Sequence, residues 1–432
     1  MTRTRGTWVH LPWEGSFVAV AGPRTGKTTS LVIPAIIDAP GAVYATSNKR
    51  DVVDATRGIR KDCWVFDPQQ IAGTEPTWWW DPLDVAHDVT GARMLAGLFA
   101  EAGRERGSAT DSYFEPAAQN HLAMLLLAAA GAAVPLSRVF TWLNEPRDDQ
   151  AVFLLQAEGH ALAAQSVRGV LSLPDKQRAG VMGTAAKMVA FIADPRLAAW
   201  VVDPGDGRPR LDVERVLASG STLYSLSREG PGSAGALTAA LTSALLGAAE
   251  RTAARSPGGR LPVPLLAVLD EVANVCRWQE LPDLYSHYGS RGIVLMSFLQ
   301  SWSQGVECWG HDGMRKLWGA ATVRVYGGGV SDRDFLEDVS QLCGEFDAPT
   351  SSSSYRSGQR TTTAGDRKQR VFDVATLAAL PAGRAVVMLS GARPVLVATE
   401  SCHDGPHAQA VRQSIATLGK PGTSVWVGDG AK

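Results

Sequence analysis

The chain has 432 residues, 45% of them apolar and 20% charged, with 42 basic against 43 acidic side chains. This length exceeds what one core usually supports and the composition excludes a disordered or fibrous chain, which leaves one large domain with an insertion, or two to three domains. A formal net charge of -1 announces neither a nucleic-acid nor a membrane-surface binder, so any such contact needs a local basic patch or a pore lining.

In chain order, MTRTRGTWVHLPWEG carries no signal-peptide core, because the apolar SFVAVAG after it is interrupted at once by Gly22 and Pro23. SFVAVAG reads as a buried strand closing on a glycine-rich turn, and TTSLVIPAIIDA as the helix that follows. GAVYAT (41–46) and CWVFDP (63–68) are strands separated by the polar, helix-compatible SNKRDVVDATRGIR. That βαβ pattern predicts a parallel sheet with right-handed crossovers. From about 89 to 215 the stretches ARMLAGLFAEAG, EPAAQNHLAMLLLAAAG, DQAVFLLQAEG and RAGVMGTAAKMVAFIA have helical periodicity and predict an all-helical insertion. Its most apolar run, 122–136, is shorter than the roughly 20 residues that span a bilayer and is broken by Gly131 and Pro135, which predicts a buried helix.

Strand-like runs resume with STLYSL (221–226), VPLLAVLDE (263–271), GIVLMSF (292–298) and ATVRVYGG (321–328). SSSSYRSGQRTTTAGDRKQR (351–370), with five basic and almost no apolar residues, predicts a mobile loop whose charges are solvated or, alternatively, contact phosphates. The fold class is therefore α/β, divided as a first part (1–88), an all-alpha insertion (89–215) and a second part (216–432), the first and second parts making the domain whose ligand the motifs below identify as a nucleotide. Five scattered cysteines without a CxxC pair argue against disulfides or a zinc site and fit a reducing cytoplasm.

AGPRTGKT, residues 21 to 28, is close to the Walker A pattern and lies between a strand and a helix, the context that confirms it. Ala21, Gly22, Pro23, Arg24, Thr25 and Gly26, with Lys27, Thr28 and Thr29 opening the helix, are expected to surround the phosphates of ATP with backbone N–H groups. Lys27 reaches the β- and γ-phosphates, Thr28 places its hydroxyl on magnesium, and Gly26 lets the backbone approach closely. Ala21 stands where the pattern has its first glycine, and Gly22 one place later is expected to supply the flexibility.

LLAVLDE supplies the acidic partner on a neighbouring strand, a Walker B in which Asp270 holds magnesium and Glu271 orients and deprotonates the attacking water. An Asp-Glu pair at a strand end also serves as a helix cap, and the Walker A loop decides for chemistry. Gln300, after GIVLMSF, is the candidate sensor of the γ-phosphate or lytic water, against the plainer reading of a surface glutamine starting a helix. Arg324, and less so Arg291, are candidate arginine fingers across a subunit interface, against ordinary ion-paired arginines. WWW at 78–80 reads as packing rather than as a platform for bases.

Taken together, FVAVAGPRTGKTTSLVIPAI, SNKRDVV with VFDP and WWWDPLD, SYFEPAAQNHLAMLL, LAVLDEVANVCRWQELPDLYSHYGSRGIVLMSFLQSWSQ, VRVYGGGVSDRDFLEDVSQLCGEF and LAALPAGRAVVMLSGARPVLV, in this order, resemble the TraG-like coupling ATPases of conjugation and type IV secretion, a branch of the FtsK/HerA motors. The resemblance implies a RecA-like P-loop domain interrupted by an all-alpha domain, a homo-hexameric ring, ATP and magnesium as cofactors, and transport of single-stranded DNA. It also implies that the helical insertion selects relaxase cargo and the relaxosome, and that the ring feeds membrane secretion channel components from the cytoplasmic face. Lys27, Thr28, Asp270, Glu271 and Gln300 fall on the family's motif positions. Family members usually begin with transmembrane helices, whereas here about sixteen residues precede the P-loop strand, so a fragment, a soluble variant or an anchor on another polypeptide is expected. Two alternatives stand beside the motor: a soluble translocase on double-stranded DNA, and an ATP-dependent cargo receptor that does not turn over. Glu271 favours the motor, and DEVANV with VRVYGGGVSD favours coupling.

Overall fold

The computed structural model describes residues 2–4, 7–9, 12–103, 113–228, 234–276, 278–356 and 359–419. Its strands are β1 (Thr2–Thr4), β2 (Thr7–Val9), β3 (Phe17–Val20), β4 (Val43–Ser47), β5 (Cys63–Phe66), β6 (Thr222–Leu226), β7 (Leu265–Leu269), β8 (Ile293–Leu299), β9 (Val323–Tyr326), β10 (Glu345–Arg356), β11 (Gln359–Arg370), β12 (Arg384–Leu389) and β13 (Val395–Thr399). Eleven of them make one sheet in the order β2-β1-β13-β12-β9-β3-β8-β7-β4-β6-β5. From β9 to β5 every pairing is parallel, and β12, β13, β1 and β2 extend the edge with antiparallel pairings.

The parallel strands are apolar on both faces because helices cover both. Val18 and Val20 of β3 point into one core with Tyr44 and Leu223, whereas Phe17 and Ala19 join Val43, Ala45 and Val268 on the other. Alternation along each strand divides the cores in this way. On the second face lie α1 (Ile33–Asp38), whose Ile36 is fully buried, and α2 (Asp51–Thr56), which contributes Val52 and Val53.

Between β5 and β6 the described residues form helices and no strand: α3 (Val89–Gly103), α4 (Phe114–Gly131), α5 (Leu136–Asn144), α6 (Gln150–Ala157), α7 (Ala161–Leu171), α8 (Asp175–Met188), α9 (Pro195–Ala198) and α10 (Val213–Ser219). Residues 122–127 of the apolar run are buried in α4, and no helix among the described residues is long and apolar enough to cross a membrane. Local chemistry fixes the last boundary: the Asp212 carboxylate accepts from the N–H groups of Glu214 and Arg215, and Gly220 at φ 70° ends α10 in the left-handed region. Next comes α11 (Gly235–Arg255), which packs on α3, so the helical stretch shares one apolar core with a face of the sheet. Trp78 and Trp80 belong to that core, Trp78 meeting Phe66 and Trp200 at ring-centroid separations of 6.0 and 5.3 Å, as the packing reading of WWW requires.

The remaining helices are α12 (Val272–Val275), α13 (Leu281–Tyr288), α14 (Trp302–Ala320), α15 (Arg333–Cys343), α16 (Val374–Ala378) and α17 (Ala408–Leu418). Residues 351–356 and 359–370, expected as a loop, are instead strand. They belong to a two-stranded antiparallel ribbon of β10 and β11, in register from Glu345 opposite Arg370 to Arg356 opposite Gln359, with 357–358 outside the described residues. Strands paired in this way satisfy each other's backbone groups without a core, and runs of threonine suit the extended chain. Arg370 anchors the base of the ribbon through an ion pair with Glu337 on α15 at 2.6 Å.

Candidate nucleotide site

The carboxyl ends of β3, β8, β7 and β4 open on one edge of the parallel sheet, the edge where open α/β sheets bind ligands. Beyond β3 the chain is pinned on two sides: Ala21 N–H donates to the Leu299 carbonyl at 3.0 Å and Gly22 N–H to that of Gly328 at 2.9 Å. A Cβ on Gly22 would stand 2.0 Å from the Gly329 oxygen, so this close approach needs glycine. Ala21 is accommodated from across the gap, since the residue facing its methyl is Gly327, where a Cβ would come within 2.8 Å of it. Arg24 at φ 60° and Gly26 at φ 87° take left-handed turns before Lys27 returns to helical angles. Such an alternation points successive backbone N–H groups into a concavity that receives anions. Thr25 Oγ1 closes the loop by donating to the Gly22 carbonyl at 2.9 Å, and Thr28 and Thr29 open the single π-turn (Thr28–Val32) that leads into α1.

At the end of β7, Asp270 and Glu271 are buried. Burial pushes the Asp270 carboxyl up to about 6, with the nearby Lys27 charge opposing and the Glu271 and Asp51 carboxylates adding to the rise. Its Oδ1 has no hydrogen-bond partner, and neither does the buried Lys27 Nζ. Beside a phosphate-shaped turn, an ammonium nitrogen and a carboxylate oxygen that are both buried without a hydrogen-bond partner fit a nucleotide and a divalent metal. Lys27, Thr28 and Asp270 are the residues that would hold them.

Glu271 sits in the left-handed region at φ 51° and ψ 44°, where non-glycine residues are sparse. Its carboxylate is held on both oxygens: Gln300 Nε2 donates to Oε1 at 2.5 Å and Asn48 Nδ2 to Oε2 at 2.5 Å, while Lys27 Nζ lies 3.8 Å from Oε1. Ser301 fixes the helix after Gln300 by capping α14, accepting from Gln304 N–H.

Lys27, Glu271 and Gln300 are therefore brought together, with Asp270 beside them. The expected layout needs one correction. Walker B is not on the strand next to the P-loop strand, because β8 lies between β3 and β7. Gln300 directly follows this intervening strand, and it touches the carboxylate of Glu271 rather than standing as a free surface glutamine. Neither arginine joins the group. Arg291 precedes β8 at the opposite end of the sheet and is ion-paired with Glu250. Arg324 lies within β9, half-buried, its Nε without a hydrogen-bond partner and no ion pair linking it to the cluster among the described residues. Asn48 is the residue that sequence reasoning missed. Its one signal is a polar side chain directly after an apolar strand, in the SNKRDVV stretch.

The sequence profile described as Type IV secretory system Conjugative DNA transfer matches residues 3–204, and that described as TraM recognition site of TraD and TraG matches residues 264–382. A comparison with curated protein sequences gives no match. Among solved structures, the bacterial conjugative coupling protein TrwBdeltaN70 in its unbound monoclinic form aligns with a TM-score of 0.65 at 17% identity, over 89% of this chain and 84% of that one. TrwB in complex with the non-hydrolysable ATP analogue ADPNP gives 0.62 at 18% identity, over 89% and 85%. VirB4 of Thermoanaerobacter pseudethanolicus gives 0.54 at 12% identity, over 94% and 96%. At these identities the likeness establishes the fold, a RecA-like P-loop architecture. The two profiles follow one another along most of the chain, and by them it belongs to the TraG-like coupling proteins, the P-loop ATPase family of conjugative DNA transfer through type IV secretion.

Proposed function

We propose that this chain hydrolyses ATP with magnesium and uses the cycle to move single-stranded DNA, or a relaxase joined to it, toward a type IV secretion channel. The observation that carries this reading is the convergence of Lys27, Asp270, Glu271 and Gln300 at one sheet edge, with Lys27 Nζ paired to Glu271 at 3.8 Å and both Lys27 Nζ and Asp270 Oδ1 buried without a hydrogen-bond partner. TrwB has been solved with ADPNP and with ADP and Mg2+, which supports the same ligands here.

In this reading the loop 21–28 and Lys27 bind the β- and γ-phosphates. Thr28 and Asp270 hold the metal, which when bound offsets charge on the phosphates. Glu271 takes a proton from the water that attacks the γ-phosphorus in line, as the bond to the β–γ bridging oxygen breaks. Arg324 remains a proposed finger acting on a neighbouring subunit of a hexamer. The helical stretch 89–215 would face relaxosome cargo, and membrane channel proteins would hold the ring at the inner face of the membrane. Family membership supports these partners.

Steady-state hydrolysis by the purified chain, with single-stranded, double-stranded or no DNA, tests the reading beside Lys27→Ala and Glu271→Gln. Stimulation by single-stranded DNA that both substitutions remove is the expected result. Preference for duplex DNA would instead identify a double-stranded translocase, and nucleotide binding without turnover under all conditions would leave a receptor.

A further inference from the structure

We propose that Asn48 is a positioning residue for the hydrolytic base, an assignment that rests on the ATPase reading above. Three adjacent strands, β8, β7 and β4, end at the same crest, and Glu271 follows the middle one. One side-chain amide comes from each flank. Gln300, directly after β8, takes Oε1, and Asn48, directly after β4, takes Oε2. A carboxylate held on one oxygen can still swing about its last torsion, which is broad for glutamate, whereas one held on both cannot. The restraint matters here because Glu271 starts from a left-handed backbone that aims its side chain differently from an ordinary strand end.

The root of Asn48 is itself fixed. Thr46 Oγ1 donates to the Asp270 carbonyl at 3.3 Å, which ties the end of β4 to that of β7, and Lys49 N–H donates to Ser47 Oγ at 3.2 Å, which closes a local turn around Asn48. An amide also suits the chemistry. It donates one hydrogen to Oε2 without bringing a positive charge, and each carboxylate oxygen keeps a lone pair with which to accept the proton of the attacking water. A carboxylate at position 48 would place a like charge against Glu271.

The test uses the full chain and the variants Asn48→Ala, Asn48→Asp, Glu271→Gln, Asn48→Ala/Glu271→Gln and Asn48→Asp/Glu271→Gln. The quantities measured are kcat and KM for ATP with single-stranded DNA, the Kd of a fluorescent ADP analogue with magnesium, and the nucleotide-free Tm. Asn48→Ala is expected to lower kcat about 10- to 100-fold, the usual effect of loosening a positioned catalytic group, with KM and analogue affinity within about twofold of wild type. In the Glu271→Gln background it should lower kcat no further, because its effect passes through that carboxylate. Asn48→Asp should lower the nucleotide-free Tm, and Glu271→Gln in the same chain should restore it, since an amide again faces a carboxylate. A wild-type or raised kcat in Asn48→Ala, or a fall in kcat matched by an equal loss of nucleotide affinity, overturns the positioning role. Absence of hydrolysis by the wild type would overturn the ATPase reading itself. A Tm deficit in Asn48→Asp that Glu271→Gln leaves in place would separately overturn the two-amide clamp.

Discussion

Gly22→Ala puts the geometry of the P-loop to the sharpest test. A Cβ added there would stand 2.0 Å from the Gly329 oxygen, 2.6 Å from its carbonyl carbon and 2.9 Å from its Cα, all of them backbone atoms that no rotamer change can remove. Restoring an ordinary contact of about 3.4 Å requires the two loops to separate by more than 1 Å, which also breaks the hydrogen bond from Gly22 N–H to the Gly328 carbonyl. Overpacking of this kind costs about 1–3 kcal/mol and the lost bond about 1 kcal/mol, so the variant should be destabilised by roughly 2–4 kcal/mol. Lys27 is carried on the same displaced loop, so affinity for an ADP analogue should fall at least tenfold. Urea denaturation and a nucleotide titration read the two effects. Gly169→Ala on α7 is the matched control, since a Cβ there meets nothing within 4 Å, and it should stabilise by about 0.5–1 kcal/mol. Gly22→Ala with wild-type stability and affinity would refute the close approach of the two loops.

Two further predictions concern buried titratable groups. The folded-state pKa of Asp270 is raised from 3.8 to about 6, so folding favours its protonated form, and the associated stability is lost as pH rises from about 4 through 6. Asp270→Asn should therefore make the metal-free, nucleotide-free protein more stable above pH 6 by up to about 3 kcal/mol, converge with wild type near pH 4, and lose its stabilisation by magnesium nucleotide. A difference independent of pH would contradict the assignment. His121 on α4 is buried with neither ring nitrogen hydrogen-bonded, and burial lowers its pKa to about 4. Its shift has the opposite sign: stability is full above the ordinary value of 6.5 and falls as pH drops from there through 4. His121→Leu should stabilise by about 1–3 kcal/mol at neutral pH and flatten the acid limb of a Tm-against-pH curve, and an unchanged limb would show that His121 is not the group responsible.

The elements that hold the nucleotide site were legible because their physics is local. β3, β4, β7 and β8 are short apolar runs closed by polar or glycine turns, as strands buried on both faces must be, and AGPRTGKT falls between a strand and a helix. Long-range pairing was not legible. Nothing in GIVLMSF says that β8 inserts between β3 and β7, and three-residue strands such as Thr2–Thr4 carry too little pattern to reveal their partner, β13. Composition also misled over 351–370, where the absence of apolar residues argued against a core but not against a backbone-paired ribbon. Asn48 was hidden for a simpler reason: one amide at a strand end has no spacing signature, and its role exists only because Glu271 turns left-handed beside it.

The departure at Ala21 shows how far the phosphate loop extends beyond its eight residues. Steric room that the Walker A pattern obtains from its first glycine is supplied here by Gly327, on the loop after β9, and Gly329 in that loop lies so close to Thr25 that a Cβ would be 3.0 Å from the threonine methyl. Gly328 and Gly329, at φ 79° and 71°, hold left-handed angles that alanine or a β-branched residue would resist. Consecutive glycines cost about 0.5–1 kcal/mol each in chain entropy relative to alanine, and a loop that only had to connect β9 to α15 could avoid that cost. This one could not, because residues 327–329 form the second wall against which residues 21–25 close. Van der Waals contact along that wall means that a shift of the P-loop backbone by more than a few tenths of an ångström displaces the loop after β9 as well. The wall that closes the P-loop is thus continuous with β9, the strand that carries Arg324, through packed backbone rather than through any side chain that a sequence motif could reveal.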